Sequence, residues 1–222
     1  MALSYIGIGI AKGGAASAAV VSNASTLAGD LLVLLVNLGG ATNITSITGG
    51  SNPVWTQFGV RQSTGDSLVN LEVWTAVAAA ADIGATFTVN FGAAIQFTVG
   101  LESWRSTIAT PSLANLQGVT SSTGGIASIT APTWNGANGI AFAGGDTFAA
   151  TPSCTVTGGN WVERADQVNG TLVASDIAND VASSGIGNAG CIFTWTQTCA
   201  QRCAITFNVA EISGAPLFFG AD

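Results

Sequence analysis

The chain has 222 residues, of which 48% are hydrophobic and only 8% charged; about a quarter of an average soluble protein is charged. Net charge is −7, from five Lys and Arg against twelve Asp and Glu. No basic cluster is available to track phosphate or to lie on an anionic lipid surface, which argues against nucleic acid and membrane partners.

No apolar run approaches the roughly 20 residues of a membrane helix, although mean hydropathy is +0.49. The exterior must therefore be covered by small residues or by neighbouring subunits. The first residues lack a basic stretch ahead of an apolar core, so no secretory signal is read there.

Helix signals are scarce; the best is Ala76–Ala81, good for a turn or two. The rest reads as short strands between Gly, Asn, Ser and Thr clusters. In the first half the strands fall near Leu3–Ile10, Ala18–Ser22, Leu31–Leu38, Ile44–Thr48, Trp55–Gln62, Leu68–Val77, Thr86–Phe91 and Phe97–Trp104. The run Ala28–Leu38, AGDLLVLLVNL, opens on a Gly–Asp turn and reads as a central strand buried on both faces.

The second half repeats the order. Ser112–Val119 and Ala127–Thr130 match the first two strands, and Ala137–Gly144 matches Ala28–Leu38. Cys154–Thr157 with the turn to Trp161 matches Ile44–Thr48 with the turn to Trp55. Thr171–Ala178, Ile192–Trp195 and Ala204–Ile212 match the last three blocks, with Ser175 at the place of Trp74. Blocks in one order at a nearly constant offset indicate an internal duplication. The expected fold is all-β: two tandem jelly-roll-like β-sandwiches, residues 1–107 and 108–222. One larger intertwined sandwich is the structural alternative.

The recurring pieces are Ala28–Val33, Ile44–Thr48, Trp55–Thr56, Leu71–Trp74 and Phe97–Trp104 with their second-half partners. This pattern resembles duplicated β-sandwich virion structural proteins of tailed bacteriophages, of the decoration and fibre type. The second copy departs from it, with Asn138–Gly139 where Gly29–Asp30 stands. The resemblance implies a virion component assembled in the bacterial host cytoplasm. Its expected partners are the major capsid protein or other virion proteins, together with copies of itself, for example as trimers. A capsid decoration (cement) protein is the first expectation, and a receptor- or glycan-binding fibre module the second.

Chemistry is thinly supplied. There is no histidine, so histidine-based triads are excluded within the chain. Glu102 and Glu211, near the ends of matching strands, remain as a carboxylate pair, but symmetric placement favours a fold role. Asp146, Asp176 and Asp180 are candidate calcium ligands without the spacing of a calcium loop. Cys154, Cys191, Cys199 and Cys203 lack zinc-site spacing; Cys199 and Cys203 flank Ala-Gln-Arg and could bridge a tight loop, or all four could be buried thiols. No enzyme activity, cofactor or metal is expected. Trp134 is the tryptophan expected at the surface. The apolar tail residues Leu217, Phe218 and Phe219 are expected to dock in a groove of this chain or of a neighbour.

Overall fold

The computed structural model describes residues 3–65, 68–121, 124–133, 137–147, 153–170, 173–180 and 190–211. The first half runs β1 (Leu3–Val21), β2 (Leu31–Leu38), β3 (Ile44–Gly49), β4 (Thr56–Gln57), β5 (Gln62–Ser63), β6 (Asn70–Val77) and β7 (Thr86–Ser106). The second runs β8 (Pro111–Ser121), β9 (Ile126–Thr130), β10 (Gly139–Thr147), β11 (Cys154–Thr157), β12 (Trp161–Asn169), β13 (Val173–Asp180) and β14 (Ile192–Glu211). The chain is all-β, in two tandem β-sandwich units. Each half builds its own antiparallel sheet, ordered β1-β7-β2-β6-β4 in the first and β11-β14-β10-β13-β12 in the second.

The two strand orders superimpose as a duplication requires. β7 carries β1 and β3 beside β2, and β14 carries β8, β9 and β11 beside β10. The Gly–Gly turns before Trp55 and Trp161 share one backbone: Gly49 and Gly50 have φ of 112° and 54°, and Gly158 and Gly159 have 96° and 55°. Both pairs lie in the left-handed region that suits glycine. The Ser22 N–H donates to Ala85 O, and the Ala131 N–H donates to Cys191 O, at matching places.

Several predicted strands merge. Leu3–Ile10 and Ala18–Ser22 belong to the single strand β1; Thr86–Phe91 and Phe97–Trp104 both belong to β7. The pairing slips between Ala15/Ile95 and Ser17/Asn90, leaving extra residues on β7. Such a bulge bends a strand without ending it, and the small exposed residues Gly92–Ala94 sit at the bend. Each sheet therefore folds over itself. Phe87, Val89 and Phe91 from one arm of β7 and Phe97, Val99 and Leu101 from the other close on one core, with Leu32, Leu34, Val36 and Leu38 of β2. The second half repeats this around Phe193, Trp195, Ala141 and Ala143. The predicted helix at Ala76–Ala81 is the end of β6 followed by a 3-10 turn, Ala80–Asp82. Glycine at position 84, with φ of 61°, closes that turn.

A third core joins the halves. Leu31, Val33 and Leu35 of β2, with Leu71, Val73 and Trp104, meet Ile140, Phe142, Ile177, Ile205 and Phe207 of the other sheet. All eight residues of β2 are buried, because even positions serve the inner core and odd positions the shared one. Two glycines permit the close approach. A Cβ at Gly100 would lie 2.4 Å from Ile177 Cδ1, and one at Gly144 would lie 2.6 Å from Asn37 Nδ2. Polar ties cross the same plane: the Thr98 and Ser175 hydroxyls lie 2.6 Å apart, and Gln167 Nε2 donates to Val99 O at 3.1 Å.

The registers correct two residue-level expectations. Leu31 faces Trp104 and Ile140 faces Phe207, so Glu102 corresponds to Ile205, and Glu211 is not its counterpart. Leu34 faces Trp74 and Ala143 faces Asp176, so Asp176, not Ser175, occupies the place of Trp74. The Cys199–Cys203 bridge is also overturned, since all four thiols are free. Both residues lie within β14, where four residues span about 13 Å, beyond disulfide reach.

Candidate functional site

The AGD turn is built around a charge. Asp30, 2% exposed, receives Arg105 in a two-pronged contact: Nε to Oδ1 and Nη2 to Oδ2, both 2.8 Å. Arg105 also donates to Ser25 O, and the Leu27 N–H donates to Asp30 Oδ2 at 2.7 Å. Beside this clasp run two shallow clefts of about 300 and 310 Å³. They adjoin where Asp30 passes to Leu31 and Thr110 to Pro111. Leu27, Val54, Val77 and Ile108 line them and are exposed, Val54 by 86% and Ile108 by 73%. Such aliphatics on a charge-poor exterior form the chain's candidate partner-contact face.

A different kind of cleft, about 390 Å³, opens on the first sheet between β4, β6 and the segment after β2. Residues two apart on a strand share a face, so Glu72 and Trp74 of β6 both reach it, and Trp74 Nε1 donates to Glu72 Oε2 at 2.9 Å. Arg61 Nη1 is fixed by the Thr42 carbonyl at 2.9 Å and Asn43 Oδ1 at 3.0 Å. Gln57 completes the polar rim. Burial pushes the Glu72 carboxyl above its ordinary range, against the pull of the Trp74 indole, the Ile44 amide and the Arg61 charge.

The same Glu-x-Trp spacing recurs at Glu102 and Trp104, where Nε1 donates to Oε2 at 2.8 Å. Here the pair faces the shared core. Glu102 is fully buried, and desolvation raises its carboxyl to about 7, opposed by Trp104, Asn179 and the Arg164 charge. Above it Arg164 stacks 4.4 Å over the Tyr5 ring, whose edge meets Trp104. Glu211, by contrast, accepts the Ser106 hydroxyl at the linker.

Asp146, Asp176 and Asp180 are buried on strands, not displayed on loops. Asp176 is enclosed beside Cys154 and raised to about 8, mainly by burial and then by the Glu163 charge. No group of three metal-ligating side chains forms among the described residues. Desolvation lifts all four thiols, Cys199 and Cys203 to about 12.

Trp55 and Trp161 are half-buried plugs against the cores of their own halves, and Trp55 meets Phe87 edge-on at 5.5 Å. The four residues proposed from the sequence as partner contacts, Trp134, Leu217, Phe218 and Phe219, lie outside the described residues. Sequence reading missed the Arg61–Glu72–Trp74 constellation, though the Glu-x-Trp spacing was its available signal. No family model, curated protein or solved structure matches the chain.

Proposed function

We propose that the chain is a non-enzymatic structural component of a tailed-phage particle, a decoration protein that binds assembled capsid and reinforces it. The observation that carries this reading is the exposed aliphatic face at the linker, where Leu27, Val54, Val77 and Ile108 surround two clefts on a charge-poor exterior. A partner that exists only on the assembled shell would bury this face there and stabilise the assembled state by mass action. Two sandwiches joined by a common apolar core supply the stiffness a staple across subunit joints needs. Few charges cross such a contact, so its strength depends little on salt. The partner on this reading is the major capsid protein, with self-association, for example as trimers, on the particle.

Co-sedimentation with undecorated capsids tests this. Wild type is expected to pellet with shells, and Val54→Asp with Ile108→Asp to abolish pelleting at unchanged thermal stability, since both positions are exposed. Equal pelleting of the double variant, or none by wild type on shells, would refute it.

A further inference from the structure

We propose that the cleft between β4 and β6 is a binding site for a neutral saccharide, one per chain, held by Asn43, Gln57, Arg61, Glu72 and Trp74. It stands independently of the shell-binding reading, because it uses a different face of the first sheet. The volume, about 390 Å³, lies in the range of small-molecule sites and suits one or two pyranose rings. The lining pairs one cation, Arg61, with one anion, Glu72. A charged ligand would leave one of them opposed, whereas a neutral ligand would not. Four planar polar groups supply acceptors and donors side by side. A sugar's vicinal hydroxyls each donate and accept, so they can satisfy both kinds at once. Trp74 and Ile44 give one apolar wall for the C–H face of the ring.

The groups are held before any ligand arrives. Glu72 is 3% exposed and tied to the Trp74 indole. Arg61 is pinned by the Thr42 carbonyl and Asn43 through one terminal nitrogen, leaving its other donors to a ligand. Among the described residues the second half has no equivalent. Register places Asp176 where Trp74 stands and, across from it, Asp166 where Gln57 stands. Stacking wall and neutral amide are both lost, so one site per chain follows.

The test is proton–nitrogen NMR of the tryptophan indoles in the full chain, with Trp74→Phe assigning the Trp74 signal. The probes are methyl glycosides of glucose, galactose, mannose and N-acetylglucosamine, each raised to about 20 mM, with N-acetylneuraminic acid as the charged control. At least one neutral glycoside is expected to move the Trp74 signal saturably, at one site per chain. The buried Trp195 signal should stay still. Gln57→Ala, at an exposed position, and Arg61→Met, which keeps the aliphatic stem, should each weaken binding by about tenfold or more. No saturable movement with any neutral glycoside, a response to the acidic sugar alone, or equal binding by wild type and both variants would overturn the assignment.

Discussion

Replacing Glu102 with Gln should raise stability at pH 8 and leave it unchanged at pH 4. The folded carboxyl titrates near 7 against an ordinary 4.5, because it lies at 0% exposure between the sheets. A group with a raised folded pKa binds its proton more tightly in the native state. Its contribution is full below pH 4.5, falls as pH rises through the window from 4.5 to 7, and is absent above it. The shift corresponds to about 3 kcal/mol over that window. Gln keeps an oxygen for the Trp104 indole, now 2.8 Å from the carboxylate, and carries no charge to desolvate. Urea unfolding of both proteins at pH 4, 5, 6, 7 and 8 gives the difference directly, and the unchanged Asp176 background cancels between them. A wild-type-to-variant difference that does not change with pH would refute the reasoning. A variant that is less stable at pH 8 would refute it too.

Gly144→Val should cost about 2 kcal/mol or more in thermal unfolding, since its Cβ would lie within 2.9 Å of both Asn37 and Leu71 at the plane between the sheets. Arg105→Ala should cost about 3 kcal/mol by leaving buried Asp30 unpaired. The double change Asp30→Gly with Arg105→Asn should cost less than Arg105→Ala alone, which a denaturant series on both variants reads. A thiol reagent at pH 8 should label none of Cys154, Cys191, Cys199 and Cys203 quickly in the native chain and all four in denaturant, because each is buried and free.

The strand Leu31–Leu38 was legible because an unbroken apolar run between turn signals has few other readings, and every residue in it is buried. The duplication was legible for a related reason: turns and core blocks recur in order even where single residues drift. The length of β1 and β7 was not. Gly13–Ala16 and Gly92–Ala94 look like loops, yet the pairing continues through Gly13–Ala15 and resumes beyond the bulge at Gly92–Ala94, so the strands bend without ending, and only the partner strand reveals that. The burial of the acids was hidden for a tertiary cause. Polar residues at alternate strand positions normally signal a solvent face, but a second sheet covers that face at Glu102 and the folded-over arm covers it at Asp176. Their Glu102–Glu211 pairing came from counting along the chain, whereas register across β2 and β10 is set by hydrogen bonds.

The two copies have diverged in linked sets and not position by position. The buried ion pair of the first half, Asp30 with Arg105, stands opposite Gly139 with Asn208 in the second, since Gly139 faces Asn208 across the same strand pair. Losing one member alone would strand a buried charge; losing both removes the problem. Asn138 then takes the left-handed turn that Gly29 holds, with φ of 56° against 92°, as Asn can. Likewise the Gln57–Trp74 rung has become Asp166–Asp176, replacing an amide and an aromatic ring with an exposed and a buried carboxyl group. Both exchanges alter the two members of a rung together, as expected of side chains that meet across a strand pair.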